Sequence, residues 1–308
     1  MRVANKSIYD SVRWNLDKIT RDMSEANTMV SSMKTLQDLS DDPVAMVTVL
    51  DIRSSISNIG QLEENITMGK PWLNMGESAL TQIEEVLGEA KTLCIQMASG
   101  TVGGSERADA VTHVDGYLRQ ILSLANTGIG DRYIFSGTKT DTPPFAFDDD
   151  TNPTQVTYSG NGTAFAVKIG KSNSVEVGRD GETVFGDDNI TWSDPAAGQD
   201  NIFKTLIDLK THLLNNDAEE ISATLDKLDN HLDTVSNMIS DTGGKIIRME
   251  VKETIIKDLN LNHSERKSQL EDADMAEAVM NLKTKEIAYQ AALSSSAKVM
   301  SLSLVNYL

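Results

Sequence analysis

Residues 221–259 read ISATLDKLDNHLDTVSNMISDTGGKIIRMEVKETIIKDL, and apolar side chains recur in them at alternating steps of three and four. This spacing is typical of a long helix that packs one narrow face against another helix. A helix of about 45 residues would be roughly 67 Å long, and Gly243-Gly244 weakens it without having to end it. The repeat, with Thr242 and Glu253 in its two polar positions, comprises Ile221, Leu225, Leu228, Leu232, Val235, Ile239, Ile246, Met249, Ile256 and Leu259.

The two ends of the chain carry the same periodicity. Matched arms of this kind predict a chain that folds back on itself and uses the arms to bind copies or relatives of itself. An alternative is that the stripe residues only pair arm to arm within one subunit. The predicted assembly stripe consists of Val12, Leu16, Ile19, Met23, Val30, Leu282, Leu293, Met300 and Leu304.

Helices are also predicted between the first arm and residue 132. Ser40-Asp41-Asp42-Pro43 is a helix start, with a capping acid and proline at the first helical position. The helix that follows is expected to stop near Gly69-Lys70-Pro71. Two more helices are expected, one carrying Cys94 and one ending before Gly128.

Residues 133–199 favour β structure. All six phenylalanines lie between Phe135 and Phe203, and the strand-like segments are 132–135, 156–158, 165–169, 175–177 and 183–185. Asp180-Gly181 is a tight-turn signal between the last two segments. Because the zone is acidic and loop-rich, we expect it to point outward and its deletion to be tolerated in assembly.

The predicted fold is mainly α with a β insertion, an antiparallel helical bundle built from the N- and C-terminal segments. Three parts are expected. They are terminal coiled-coil arms (1–40 with 268–308), a helical bundle with short β elements (41–145 with 200–267) and a small β-rich outer domain (146–199).

Composition argues against several functions. With 28 basic and 46 acidic residues the net charge is −18, which argues against nucleic-acid binding. The sequence contains no run of eighteen apolar residues, so no transmembrane helix is predicted. The first residues lack the apolar core of a signal peptide. Cys94 excludes an internal disulfide because it is the single cysteine, and its place on an apolar helix face favours a core position over a reactive thiol.

No catalytic, cofactor or metal site is predicted. The four histidines lack ligand-spaced partners. Residues 148–152 resemble the start of a calcium loop, but Pro153 replaces the turn glycine and Ser159 the final acid, so an acidic turn is favoured. Gly128-Ile129-Gly130 lacks the rest of a dinucleotide-binding fingerprint. The chain is therefore not expected to be an enzyme.

Four stretches resemble the hook-associated protein 3 family of the flagellin superfamily. They are Ser40 to Ala45 (SDDPVA), Asn126 with the step 130–137 (GDRYIFSG) and 142–145 (TPPF), 271–278 (EDADMAEA), and 301–304 (SLSL) with Tyr307 and Leu308. The resemblance covers the helical framework, about three quarters of the chain. The RYIFSG step is its most specific part, since the arms alone fit any member of the superfamily.

This resemblance implies a structural subunit of the bacterial flagellar hook–filament junction. It implies passage of the unfolded chain through the flagellar type III apparatus to the cell exterior and assembly as a ring of copies. The implied partners are the first hook-associated protein, flagellin and an export chaperone at the C-terminal arm. A flagellin is the runner-up; a cytoplasmic coiled-coil scaffold and a metalloenzyme are more remote alternatives.

Overall fold

The computed structural model describes the backbone of residues 2–186 and 201–305, and the side chains of these residues except 2–6, 8 and 299–305. The chain divides into two compact units, residues 1–59 with 258–308 and residues 60–257. We call these the terminal unit and the central unit. The three-part division expected from the sequence stays a prediction.

Seven helices occur in the described residues, and they confirm the mainly helical fold. Their bounds are α1 Arg2–Ser32, α2 Pro43–Ala98, α3 Gly104–Ala125, α4 Gly181–Phe185, α5 Ile202–Leu214, α6 Ala218–Glu271 and α7 Met275–Val305. The long repeat of residues 221–259 lies within α6, which continues without a break through Gly243 and Gly244.

Both long helices carry a buried seven-residue repeat. In α6 the buried positions are Ile221, Leu228, Val235, Thr242, Met249 and Ile256. In α2 they are Ile52, Ile59, Ile66, Leu73, Leu80, Leu87 and Cys94. A strict seven-residue period is that of coiled-coil packing. The polar Thr242 is tolerated because its hydroxyl accepts a hydrogen bond from Arg179 at 2.9 Å.

The predicted end of the second helix near Pro71 is wrong, because α2 runs through this residue to Ala98. Proline costs the helix one hydrogen bond and strains the preceding turn. Trp72 and Leu73 are buried beside it. We infer that their burial outweighs the local cost, as tertiary packing often outweighs helix propensity.

The β structure consists of three antiparallel strand pairs. Their strands are β1 Gly128–Ile129 with β2 Arg132–Tyr133, β3 Phe145–Phe147 with β4 Val156–Tyr158, and β5 Ala166–Lys168 with β6 Ser174–Glu176. The strand predicted at 183–185 is wrong, because these residues lie in α4. Asp180 caps this helix instead of turning a hairpin, and its carboxylate accepts a hydrogen bond from the Thr183 N–H at 3.2 Å.

The phenylalanines form the core where strands and helices of the central unit meet. Phe185 lies with its ring centroid 4.8 Å from that of Phe145 and 5.4 Å from that of Phe203. Phe165 packs on Trp72 of α2, with 5.5 Å between the ring centroids. The described part of the β insertion therefore contributes aromatic side chains to the core of the central unit, and its outward orientation stays a prediction.

Candidate assembly interface

The two arms, α1 and α7, pack against each other in the terminal unit. Five predicted stripe residues of α1 are half-buried there, namely Val12, Leu16, Ile19, Met23 and Val30, and so is Leu282 of α7. Ala26 is fully buried between them along the same stripe. These six residues are thus partly covered within one subunit, on helices that pack against each other.

Leu293 is more exposed than these residues, at 44%. The side chains of Met300 and Leu304 lie outside those that the structure describes. The α7 positions that are buried or half-buried among the described side chains are Met275, Ala278, Leu282, Lys285, Glu286, Tyr289, Ala292 and Ser296. Most of these residues are small or polar, and several larger apolar side chains of α7 lie elsewhere on its circumference.

Several large apolar side chains are exposed on α7, among polar ones such as Asn281, Lys283 and Gln290. Val279, Met280 and Ile287 are exposed together with Leu293. After Glu286 the sequence has a single charged residue, Lys298, before its last position. Large apolar side chains that are exposed together on one helix indicate a contact surface. Within the described subunit, α1 covers only one face of α7.

The outer face of α1 is different in character, because charged side chains dominate it and two aromatic residues interrupt it. Tyr9 and Trp14 are exposed, and Lys18 lies over the Trp14 ring with its Nζ 5.8 Å from the ring centroid. Exposed tryptophan and tyrosine are frequent anchors of protein interfaces. Neither aromatic residue was singled out for assembly from the sequence.

A short backbone bridge joins the bases of the two arms. The Thr35 N–H donates to the Glu271 carbonyl at 2.8 Å, and the Ala273 N–H donates to the Met33 carbonyl at 2.9 Å. Met33 adopts a φ of 59°, which turns the chain out of α1. The end of the first arm and the start of the second are thereby fixed to each other.

A buried carboxylate reinforces this bridge. Glu271 is 1% exposed and forms ion pairs with Lys34 and with Arg53, whose Nη2 lies 2.5 Å from Oε1. Burial raises the pKa of Glu271, but hydrogen bonds and charge from Lys34 and Arg53 outweigh burial, so the pKa lies below its usual value of 4.5. The other oxygen, Oε2, has no hydrogen-bond partner among the described residues.

Sequence reasoning missed this carboxylate as a functional residue, although Glu271 opens the EDADMAEA stretch. Lys34 and Arg53 carry no local pattern that would connect them to it, because they lie far from it along the chain.

The turn before α2, by contrast, is confirmed. Asp42 Oδ1 accepts hydrogen bonds from the Val44 and Ala45 N–H groups at 3.0 Å. Hydrogen bonds from the Asp38 and Gln37 N–H groups lower the pKa of Asp41.

The RYIFSG step connects α3 to the aromatic core of the central unit. At its start, the Asn126 side chain exchanges two hydrogen bonds with the Phe145 backbone, at 2.8 and 3.0 Å. At its end, Gly137 has a φ of 65°, and a Cβ there would lie 2.2 Å from the Asn161 carbonyl oxygen. Glycine is therefore required for the chain to pass this point.

Two features that the sequence raised have structural partners. Asp148 accepts hydrogen bonds from the Thr154 hydroxyl and from the backbone of its own loop, which lowers its pKa to about 2. Cys94 is fully buried with its Sγ donating to the Ile221 carbonyl at 3.0 Å, and burial raises the pKa of its thiol to about 12. Across residues 2–186 and 201–305 there is no cluster of three metal-ligating side chains, and no helix there is long and apolar enough to cross a membrane.

Two protein families match separate regions of the chain. Residues 3–140 match the family described as bacterial flagellin N-terminal helical region, and residues 225–308 match the bacterial flagellin C-terminal helical region. The two regions together span more than two thirds of the chain. The chain belongs to the flagellin family.

Comparison with individual proteins shows a more specific similarity. The chain is 27% identical, over 99% of its length and 98% of the relative, to flagellar hook-associated protein 3 of Escherichia coli strain K12. A flagellar hook-associated protein from Vibrio parahaemolyticus has the same fold, with a TM-score of 0.64 and 22% identity over 75% of this chain and 100% of that one. So does the flagellar junction protein FlgL from Legionella pneumophila, with a TM-score of 0.58 and 18% identity over 73% of this chain and 100% of that one.

Proposed function

We propose that this protein is a structural subunit of the bacterial flagellar hook–filament junction. The observation that carries the proposal is similarity over 99% of the chain to a relative named flagellar hook-associated protein 3. The paired arms of the terminal unit supply the physical basis, because α7 exposes apolar faces that one subunit does not cover. The role is architectural, and the partners are other flagellar proteins and copies of the chain itself.

In this proposal the arms of neighbouring subunits cover one another. Apolar side chains such as Met280 and Ile287 gain about 1.5–3 kcal/mol each when they pass from water into a packed interface. The stripe of Val12, Leu16 and Ile19 holds α1 on α7, and the outer α7 face, including Leu293, meets the neighbours. A ring of copies then sits between the first hook-associated protein and flagellin.

Export precedes assembly in this account. The chain travels unfolded through the flagellar type III apparatus and folds at the growing tip, outside the cell. Two properties of the sequence favour this route, namely a single cysteine that leaves no internal disulfide to form and a pair of arms that are largely local helices. An export chaperone that binds the C-terminal arm would cover the apolar faces of α7 before export.

Flagellin, the filament subunit, is the second candidate because it shares the arms and the helical framework. The full-length relatives named hook-associated protein 3 favour the junction role over it. A cytoplasmic coiled-coil scaffold would share the heptads, but it has no need of exposed apolar residues such as Met280 and Ile287 on α7.

Seeded assembly tests the proposal. Purified protein is offered to two seeds, flagellin filament fragments and hooks that already carry the first hook-associated protein, and incorporation is counted by electron microscopy. We call the hooks that carry the first hook-associated protein capped hooks. We expect one short layer of protein on the capped hooks and no long filament on either seed. Long filaments from flagellin fragments would identify a flagellin, and no incorporation on either seed would refute both flagellar roles.

A further inference from the structure

The face of α6 opposite its buried seam is apolar in the central unit. Ile247, Val251 and Ile255 follow one another at four-residue steps and are 62%, 54% and 43% exposed. The seam residue Met249 lies midway between the first two and is buried. At 3.6 residues per turn, Ile247 and Val251 lie about 160° around the helix from it. We call Ile247, Val251 and Ile255 the outer stripe.

Two basic residues border the outer stripe. Arg248 is exposed and Lys252 is half-exposed, and each directly follows a stripe residue in the sequence. The outer stripe therefore presents apolar side chains along one line, with positive charge along one edge. On the other edge lies Glu250, which pairs with Lys70 at 3.7 Å. Isolated exposed apolar residues are ordinary on protein surfaces, but a line of them on one helix indicates a contact surface.

A groove of opposite charge lies elsewhere on the central unit, between α2 and α3. Its volume is about 650 Å³, and it is lined by Glu85, Gly88, Glu89, Leu93 and Tyr117 among others. At Gly88 an added Cβ would meet no atom within 4 Å, so the missing side chain leaves a notch in the wall. Burial and the negative charge of Glu89 raise the pKa of Tyr117. We call this feature the acidic groove.

We propose that the outer stripe of one copy docks into the acidic groove of the next copy. The inference rests on the proposed function, which brings copies side by side in a ring. The apolar side chains enter the notch at Gly88, while Arg248 and Lys252 meet Glu85 and Glu89.

Such a contact joins two different surfaces, so it repeats head to tail. A repeating contact of this type closes into a ring or continues as a helix, depending on the rotation between copies. Each copy carries a net charge of −18, which opposes close packing of copies. A local pairing of opposite charges offsets this repulsion at the point of contact and fixes the register between neighbours.

Disulfide capture tests the contact directly. Cys94 is buried and is the single cysteine, so a Cys94→Ala background leaves no competing thiol. One preparation then carries Val251→Cys and another Gly88→Cys, and the two are mixed on capped hooks and, separately, as concentrated free protein. We expect a mixed disulfide dimer in the mixture and none in either preparation alone.

The outcomes separate this inference from the proposed function. If the wild-type protein fails to add to capped hooks, the proposed function is wrong, and the free-protein mixture still decides the contact. If the wild type adds but no mixed disulfide forms in either setting, the contact is wrong. Disulfides between two Val251→Cys copies alone would also overturn it. The contact would also be wrong if a maleimide failed to label Val251→Cys in the free subunit. The outer stripe would then be covered by its own chain.

Charge reversal provides a second test. Arg248→Glu with Lys252→Glu should reduce the number of capped hooks that incorporate protein at least about tenfold, because like charges would face each other. Adding Glu85→Lys and Glu89→Lys to the same chain should restore incorporation. The matched control is Lys139→Glu with Lys171→Glu, which makes the same charge change at exposed loop positions. Equal loss in the control, or no rescue in the four-site variant, would contradict the proposal.

Discussion

Arg53 and Glu271 lie 218 positions apart in sequence, yet their side chains meet at 2.5 Å between Nη2 and Oε1. The Glu271 carbonyl also accepts the Thr35 N–H, so one residue holds both the ion pair and the backbone bridge at the base of the arms. This relationship explains how α1 and α7, which come from opposite ends of the chain, start from one point. It also makes the position of the arms dependent on one buried charge.

We predict that Glu271→Gln loosens the arms at neutral pH. The two basic partners are about half exposed and can be solvated, so we expect a loss of about 1–3 kcal/mol from the terminal unit, below the cost of breaking a fully buried pair. Hydrogen exchange of the Thr35 and Ala273 amides measures the effect, since both donate across the bridge. Unchanged protection of these amides would show that the ion pair does not hold the arms.

The same pair predicts a pH dependence. Because the folded pKa of Glu271 is lowered from 4.5, its contribution to stability is present above that value and is lost as the pH falls through the folded pKa. The difference in amide protection between wild type and Glu271→Gln should therefore shrink below about pH 4.5. A difference that stays constant down to the acid-unfolded state would contradict the assignment.

The arms should open before the central unit in the free subunit. Most stripe residues of α1 are only half-buried and α7 lacks partners on its other faces, so little burial opposes local unfolding. We expect fast hydrogen exchange and early proteolysis in α1 and α7, with slow exchange in residues 60–257. Incorporation on seeds should then protect the arms. Arms that are fully protected and protease-resistant in the monomer would refute this prediction.

Two glycines of α2 offer a matched pair of substitutions. At Gly69 an added Cβ would lie 2.8 Å from Met249 Cε and 3.0 Å from the Val167 and Val177 methyl groups, whereas at Gly60 it would meet nothing within 4 Å. Gly69→Ala should destabilise the central unit by about 1–3 kcal/mol through overpacking. Gly60→Ala should stabilise the protein by up to about 1 kcal/mol, because alanine has a higher helix propensity than glycine. Thermal unfolding measures both, and equal effects would contradict the packing at Gly69.

Deleting residues 146–198 is now predicted to destabilise the central unit. The composition of this insertion suggested that its loss would be tolerated in assembly, but Phe185 and Phe165 pack on the core aromatic residues Phe203 and Trp72. A gentler variant, Phe185→Ala, should cost about 3–5 kcal/mol. Calorimetry of the variant measures this loss. A change below about 1 kcal/mol would contradict the burial of Phe185 in this core.

The helical framework could be predicted from the sequence because helical periodicity is a local signal. The repeat in α6, the Asp42 cap and the Pro43 start all depend on residues within one helix. The errors arose where distant packing decided the outcome. Pro71 lies inside α2 beside buried neighbours, and Asp180 caps a helix because Phe185 belongs to the aromatic core.

The candidate interface could be predicted only in part for the same reason. Periodicity identified the stripe of α1 and the apolar character of α7. It did not indicate that Leu282 faces α1 while Leu293 faces outward, because both residues are apolar and both fit the same repeat. The partnership of Lys34, Arg53 and Glu271 required the tertiary structure.

The central claim is that subunits assemble through the outer face of α7. Leu293→Asp tests it most directly, with Ile19→Asp as the comparison, since Ile19 lies in the arm-to-arm contact and Leu293 is 44% exposed. Seeded incorporation on capped hooks is measured together with thermal unfolding of each variant. We predict that Leu293→Asp abolishes incorporation and leaves the unfolding of the free subunit unchanged, whereas Ile19→Asp also loosens the arms. Normal incorporation of Leu293→Asp would contradict the claim.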